Sequence, residues 1–213
     1  MEYINHMAQL NDPQSDKKPY SGRPSESVYE TLRTIVLVLI TALLIRSFIA
    51  QPFVVEGMSM EPTLHNAEYL IVDKIEYRLH SPQRGDVIVF KAPEAPDQNY
   101  IKRVIGLPGD TVTVKDDSVY VNGTLVTEQY IANPRTTEAA PTDTPTFFLE
   151  QKLNATEFFV MGDNRDHSSD SRRWGPLPKA NIIGKADVVL FPFNRLGVIH
   201  VPAYTTLLGV KSS

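Results

Sequence analysis

The sequence contains no cysteine. Disulfides, thiolate metal sites and cysteine nucleophiles are therefore excluded together, and any nucleophile has to be an oxygen or a nitrogen. A chain without cysteine can lie on either side of a membrane, so the redox compartment stays open. An excess of positive charge is also lacking, since 21 Lys and Arg face 25 Asp and Glu and the net charge is -4. This balance gives no support to nucleic-acid binding through a basic surface.

Long apolar runs are scarce as well: one stands out, at residues 34–45, and Arg46 follows it. Twelve residues are few for a bilayer span, which takes roughly 20, and a buried helix of a soluble protein has the same length. A cleavable signal peptide is disfavoured because about 33 residues precede the run and no small-x-small site follows it.

The Arg46 side chain can reach the lipid headgroups while its stem covers apolar surface, so the helix is counted over residues 32–50. These 19 residues rise roughly 28 Å, which is enough to cross a bilayer. We predict a transmembrane helix at 32–50 behind a flexible polar tail at 1–31. The flanking charges, Arg33 and Arg46, do not settle the orientation of the helix.

Beyond Pro52 the sequence changes to short runs that are rich in β-branched and aromatic residues and are separated by turn residues. Asn122-Gly123, between two apolar runs, is the strongest local signal for a hairpin. These patterns predict one mainly β domain at 51–213, an antiparallel β-barrel-like body behind the helix. A polar insertion at 133–146 lacks periodicity and is predicted to be a surface loop. The predicted strands lie within 68–77, 86–90, 100–106, 111–114, 118–126, 157–164, 182–191 and 197–201.

Two residues of this domain are candidates for chemistry. Ser59 lies just ahead of Pro62, which favours an extended or turning backbone, although an ordinary loop serine has the same setting. Period-2 alternation places Lys102 on one strand face with Tyr100 and Val104 and places Ile101, Arg103 and Ile105 on the other. Burial among apolar neighbours would lower the pKa of a lysine toward the range of a general base. The alternative is an edge-strand lysine whose ammonium group reaches water.

Four segments, in this order behind an apolar helix, resemble the motifs of the type I signal (leader) peptidases. They are VVEGMSMEPTL at 54–64, RGDVIVF at 84–90, YIKRVIGLPGD at 100–110 and MGDNRDHSSDSRRWGPL at 161–177. The resemblance extends over about 32–202 and implies a membrane-bound serine endopeptidase that removes N-terminal signal peptides from exported precursors after a small-x-small site. It implies Ser59 as nucleophile and Lys102 as general base, without histidine, cofactor or metal.

The same resemblance implies supporting roles for three further residues. Ser168 is expected to hydrogen-bond the catalytic lysine and orient it, and Asp170 to be a structural support. We predict that Asp170 pairs with Arg172 or Arg103. Some members of the family have a serine where this chain has Gly57, so the oxyanion is expected to rely on backbone N–H groups, most directly that of Ser59, with Gly57 as a backbone candidate.

Substrate binding and location follow from the resemblance too. Two shallow apolar pockets are expected for the minus-one and minus-three side chains, and an exposed strand edge for the extended chain. Packing in the core is the alternative for each lining residue. The partners implied are precursor proteins and the lipid bilayer, with the catalytic domain on the extracytoplasmic side of the cell membrane. The matching pocket residues are Phe53, Val55, Met60, Leu64, Tyr100 and Ile101.

Other functions compete with this hypothesis. His167, oriented by Asp166 or Asp170, would make a Ser-His-Asp triad. The acidic residues of 161–177 would suggest a calcium loop, but Arg165 would occupy a ligand position. A solvated turn is a further alternative for these charges. At the level of function, the alternatives are a catalytically silent anchored β-domain that binds exported peptides and a soluble self-cleaving Ser-Lys repressor relative, which the apolar helix disfavours.

Overall fold

The computed structural model describes residues 24–115, 118–131 and 148–201. The chain divides into two compact units, Met1–Leu43 and Leu44–Ser213. A single helix within the described residues, α1 at Pro24–Phe48, is long and apolar enough to cross a membrane. Its apolar window, Val28–Arg46, has a mean hydropathy of 2.0, and none of it is buried. This finding agrees with the predicted transmembrane helix.

The bounds of α1 differ from the predicted 32–50. The helix begins at Pro24, because proline is tolerated in a first helical turn, where its missing N–H needs no partner. The predicted tail therefore extends too far, and its residues 1–23 lie outside the described part of the chain. The helix ends at Phe48 because Ala50 already pairs with Asp73 in a strand.

The rest of the described chain forms two antiparallel sheets. The predicted mainly β, antiparallel domain is confirmed, whereas its division into two sheets was not predicted. The larger sheet has eight strands in the order β1-β2-β11-β3-β4-β9-β10, with β12 beside β11, and curls into a half-barrel. The smaller sheet has the order β7-β6-β5-β8. The strands are β1 Ala50–Val54, β2 Tyr69–Asp73, β3 Val87–Lys91, β4 Asn99–Gly106, β5 Thr111–Lys115, β6 Ser118–Val121, β7 Thr124–Leu125, β8 Phe148–Lys152, β9 Glu157–Met161, β10 Leu177–Pro178, β11 Ile182–Phe191 and β12 Gly197–Val198.

Short helices connect several of these strands. The α-helices α2 and α3 have one turn each, and three 3-10 turns accompany them. The run at 68–77 was predicted to be extended throughout, but its strand ends at Asp73, whose carboxylate accepts the N–H groups of Ile75 and Glu76. The helix bounds are α2 Glu76–Leu79 and α3 Ser171–Trp174, and the 3-10 turns are Arg165–His167, Lys179–Asn181 and Phe193–Arg195.

The hairpin predicted at Asn122-Gly123 is confirmed. Both residues have positive φ, 52° and 79°, as the tight turn between β6 and β7 requires. By contrast, the predicted strand at 197–201 is limited to Gly197–Val198. The insertion at 133–146 lies outside the described residues.

The two sheets are joined by polar contacts around Asp110. Its carboxylate accepts hydrogen bonds from Arg84 at 2.8 Å, from the N–H of Leu107 at 2.8 Å and from Asn122 at 2.7 Å. These donors come from the strand connections on both sides, so the carboxylate fixes the smaller sheet at the end of β4. The larger sheet has two buried apolar clusters. The cluster of the smaller sheet also includes Ile105 of β4 and Phe159 of β9, which places these two strands at the junction.

Candidate active site

The structure brings Ser59 and Lys102 together. Lys102 Nζ donates a hydrogen bond to Ser59 Oγ at 2.7 Å and a second one to the carbonyl of Ile101 at 2.9 Å. Ser59 lies in the turn after β1, whereas Lys102 lies on β4. The predicted hydrogen-bond contact between the two side chains is therefore confirmed.

Lys102 is buried in the middle of the larger sheet. β4 lies between β3 and β9, and the lysine is only 4% exposed. Burial lowers its pKa from 10.5 to about 8, while the charges of Asp170 and Asp163 act in the opposite direction with smaller effect. The edge-strand alternative is wrong, because β4 has neighbours on both sides. At neutral pH a useful fraction of this amine is uncharged.

The segment that follows β9 holds the backbone of Ser59. The backbone N–H of Asn164 donates to the carbonyl of Ser59 at 3.1 Å, and the Asn164 amide donates to the carbonyl of Met58 at 3.1 Å. Gly162 lies so close that a Cβ there would stand 2.4 Å from the Ser59 carbonyl oxygen. The backbone of Ser59 is thus fixed by residues about one hundred positions away in the sequence.

A buried ion pair lies behind the two candidate catalytic residues. Arg103 points to the opposite face of β4 from Lys102, and its guanidinium donates to both carboxylate oxygens of Asp163, at 2.9 and 2.7 Å. It also donates to the Gly85 carbonyl at 2.8 Å, and Thr63 donates to Asp163 at 2.5 Å. Both partners are 1% exposed. This pair attaches the segment after β9 to β4 and to the Ser59 turn.

The pairing of Arg103 with Asp163 was not predicted from the sequence. Asp163 was considered only as one of the acidic residues of 161–177, and Arg103 only as a partner of Asp170. The alternation of residues along β4 already placed Arg103 on the face opposite Lys102. It could not show that β9 pairs with β4 and that Asp163 follows the end of β9.

Asp170 is a structural support, and its pairing with Arg172 is confirmed. Its carboxylate accepts two hydrogen bonds from the Arg172 guanidinium, each at 2.8 Å, and one from the N–H of Gly162 at 3.0 Å. Burial acts to raise the pKa of Asp170, but the hydrogen bonds and charge of Arg172 outweigh it and lower that pKa. Asp170 is fully buried, so the solvated-turn alternative does not hold for it.

Ser168 does not make the expected hydrogen bond to Lys102. Its hydroxyl is buried near the Asp170 carboxylate but has no hydrogen-bond partner of ordinary geometry among the described residues. The two hydrogen bonds of Lys102 go to Ser59 and Ile101 instead. Ser168 packs against Gly162, where a Cβ would stand 2.4 Å from its oxygen. A lysine orientation through Ser168 is therefore not observed in this arrangement.

The two backbone N–H groups predicted to bind the oxyanion, those of Gly57 and Ser59, differ in whether they already have an acceptor. The N–H of Gly57 donates to the side-chain oxygen of Asn66 at 2.9 Å, so this candidate is already occupied. The N–H of Ser59, by contrast, has no acceptor within the part of the chain that the structure describes. Gly57 has a φ of +88°, which explains a glycine at this turn independently of any role in catalysis.

An open cleft of about 750 Å³ adjoins Ser59 and Lys102. Four of the six residues predicted for the substrate pockets line it: Phe53, Val55, Tyr100 and Ile101. The other two, Met60 and Leu64, do not line it. Both are 1% exposed and belong to the apolar core, because the turn that follows Ser59 directs them inward.

Neither a triad nor a metal site forms in the described part of the chain. His167 is exposed, and Asp170, which was to orient it, is taken up by Arg172. Groups of three or more histidine or carboxylate side chains with metal-binding proximity do not occur among the described residues. The pairing of Asp170 with Arg172 therefore does not support the Ser-His-Asp alternative.

Comparisons with known proteins identify the family of this chain. The family model described as signal peptidase, peptidase S26, matches residues 28–191. Signal peptidase I of Bacillus licheniformis is 40% identical over 178 residues, which cover 83% of this chain and 95% of that protein. Signal peptidase I of Leptolyngbya laminosa is 41% identical over 194 residues, covering 87% and 91%.

A crystal structure of a signal peptidase I from Enterococcus faecalis is 34% identical, with a TM-score of 0.41, and covers 50% of this chain and 97% of that one. The family match and the sequence identities extend over most of the chain, and α1 supplies an apolar helix of membrane-spanning length. The protein accordingly belongs to the signal peptidase family, peptidase S26, and is a membrane-anchored serine peptidase.

Proposed function

We propose that the protein removes N-terminal signal peptides from exported precursor proteins, cutting after a small-x-small site with Ser59 as nucleophile and Lys102 as general base. The observation that carries this proposal is the contact of 2.7 Å between a buried lysine amine and a serine hydroxyl at the wall of an open cleft. A hydroxyl and an amine of lowered pKa in contact make the minimal unit for acyl transfer.

The proposed reaction has two stages. The uncharged Lys102 amine accepts the Ser59 proton while the serine oxygen attacks the scissile carbonyl, and the N–H of Ser59 stabilises the resulting oxyanion. The lysine then gives its proton to the leaving amine, which releases the mature protein and leaves the signal peptide as an ester on Ser59. Lys102 next deprotonates a water that attacks the ester, and the proton returns to Ser59 as the peptide acid leaves.

The cleft favours an extended substrate with small side chains. β1 is an edge strand and pairs only with β2 among the described strands. A precursor can therefore add to its free edge by main-chain hydrogen bonds. The cleft wall next to Ser59 includes the apolar side chains of Phe53, Val55, Tyr100 and Ile101. We infer that small apolar side chains at alternate positions of the precursor pack against this wall.

The membrane anchor fits this substrate. A signal peptide is itself apolar and membrane-embedded, so tethering the peptidase to the bilayer raises the effective concentration of each for the other. We place the catalytic domain on the extracytoplasmic side, where exported precursors emerge. Protease protection of sealed vesicles tests that orientation: residues 51–213 are expected to be digested from one side only.

The function is tested by incubating the full chain, in detergent or vesicles, with a precursor that carries an Ala-x-Ala site. Wild type and a Ser81→Ala control, whose hydroxyl is exposed and far along the chain, should release a mature protein that begins directly after the second alanine. Ser59→Ala should release none. Mass spectrometry of the new N-terminus reports the site.

Two outcomes would contradict the proposal. Cleavage that survives in Ser59→Ala would remove the assigned nucleophile. Binding of the precursor by wild type without any cleavage would favour a silent peptide-binding domain. A precursor with phenylalanine at the minus-one position should be cut at least about tenfold more slowly, because the cleft walls exclude it.

The pH dependence follows from the lysine. Because the reaction needs the uncharged amine and the pKa of Lys102 is about 8, kcat/KM should rise tenfold per pH unit on the acid side and level off above about pH 8. At pH 6 the rate should be about one-hundredth of the plateau. A profile that stays flat from pH 6 to pH 9, while the protein remains folded, would contradict a lysine base.

A further inference from the structure

After β7 of the smaller sheet, residues 126–131 extend toward the residues that surround the candidate active site. We call this segment the arm. Val126 anchors it, since its N–H donates to the carbonyl of Val119 at 2.8 Å and its side chain is buried in the cluster of the smaller sheet. Beyond this anchor the arm carries Glu128, which is 3% exposed, and Tyr130, whose ring lies 4.2 Å from the guanidinium carbon of Arg103.

The carboxylate of Glu128 is held by three donors. Arg165 donates to both of its oxygens, through Nη1 at 2.7 Å and through Nη2, and the Tyr130 hydroxyl donates at 2.6 Å. Arg165 comes from the segment that follows β9, so this two-pronged ion pair joins the arm to that segment. Both charges are largely removed from water. The pair therefore holds the arm and the segment after β9 together, because either partner left alone would be a buried, uncompensated charge.

Arg165 also connects the arm to the residues that contact the backbone of Ser59. Its Nε donates to the carbonyl of Gly162 at 3.1 Å, and its own carbonyl accepts a hydrogen bond from Arg172 at 2.7 Å. Gly162 packs directly on the carbonyl of Ser59, and Asn164 donates to that same carbonyl. One continuous set of contacts therefore runs from the arm to the backbone of the serine.

We propose that Glu128 and Arg165 are positioning residues that act through Gly162 and Asn164 to fix the backbone of Ser59. The proposal rests on the function proposed above. Neither Glu128 nor Arg165 lines the cleft, so their contribution is to the rate of attack and not to precursor binding. Loss of the pair lets the serine shift relative to Lys102, and a displacement of this kind lowers kcat while KM is kept.

Glu128→Gln tests the proposal, since it removes the charge and keeps the shape. We expect kcat per folded molecule to fall about 10- to 100-fold, with KM within about twofold of wild type. The folded fraction is measured by near-ultraviolet circular dichroism on the same samples. Glu150→Gln, which changes an exposed carboxylate on β8 of the same sheet, is the matched control and should equal wild type.

A double-mutant cycle with Arg165→Gln separates positioning from general destabilisation. If the pair acts as one unit, the double variant should have the same kcat as either single variant, whereas independent effects would multiply. Should Glu128→Gln fail to fold, Tyr130→Phe removes one donor to Glu128 and is expected to lower kcat about threefold without changing KM.

The proposal is overturned if kcat per folded molecule is unchanged in Glu128→Gln, if KM rises while kcat stays, or if Tyr130→Phe has to replace it and leaves kcat unchanged. Each of these results leaves the proposed function intact, provided that wild type cleaves the precursor and Ser59→Ala does not. Failure of wild type to cleave, or cleavage by Ser59→Ala, overturns the proposed function and this inference with it.

Discussion

Lys102→Met is expected to lose cleavage by about 10⁴-fold or more, because it removes the only base in contact with the Ser59 hydroxyl among the described residues. The same variant should be more stable than wild type at neutral pH. The lysine is 4% exposed, and burial disfavours its charged form, as its lowered pKa shows. Methionine has nearly the same length and carries no charge to desolvate.

The stability gain of Lys102→Met should depend on pH in a defined direction. The folded protein holds its lysine proton with a pKa of about 8 and the unfolded chain with one near 10.5. Between these values the unfolded state binds more protons, so wild-type stability rises with pH. The gain should therefore be complete below about pH 8, on the order of 3 kcal/mol, and should vanish above pH 10.5.

Thermal unfolding of the detergent-solubilised protein at pH 7 and pH 10 measures this effect. The control is Lys91→Met, which changes an exposed lysine on the neighbouring strand β3 and should alter neither activity nor stability appreciably. If Lys102→Met proved less stable than wild type at pH 7, desolvation of the lysine would not be the dominant effect. If it retained cleavage, Lys102 would not be the base.

Arg103→Met is expected to be the most destabilising single substitution near the site, at about 3–5 kcal/mol. The side chain is 1% exposed, and its removal leaves the carboxylate of Asp163 buried without its guanidinium partner. It also leaves the Gly85 carbonyl without a donor. Chemical denaturation of the variant measures the loss.

Comparison with the partner substitution isolates the cause. Arg103→Met combined with Asp163→Leu removes both charges, so the double variant should be less destabilised than the sum of the single variants. His80→Gln, at the exposed pair of His80 with Glu76, should cost about 0.5 kcal/mol or less. Strict additivity of the two core substitutions would mean that their charges do not stabilise one another.

Local features of the fold were predictable from the sequence. The Asn122-Gly123 turn follows from residues that adopt positive φ, and most strands follow from alternating apolar residues, because both signals lie within a few positions. Alternation also placed Lys102 and Arg103 on opposite faces of β4. Boundaries were less predictable: Asp73 ends its strand through a side-chain hydrogen bond, and polar residues ahead of the apolar run still continue α1 toward the N-terminus.

The positions of the pocket and supporting residues could not be predicted from local sequence patterns. Phe53 and Met60 have the same apolar character in the sequence, yet one lines the cleft and the other packs in the core. The direction of each side chain depends on the turn around Ser59, which residues after β9 hold in place. Ser168 likewise has its position decided by close packing on Gly162, and no sequence pattern specifies that packing.

The sequence by itself determined that cysteine chemistry is impossible, that an apolar helix precedes a β-rich body, and that Ser59 and Lys102 are the residues of the right kind. Only the tertiary structure decided that they touch. They lie 43 positions apart, Arg103 and Asp163 lie 60 apart, and Glu128 and Arg165 lie 37 apart. These contacts form because β4 pairs with both β3 and β9, and strand order depends on the packing of the whole domain.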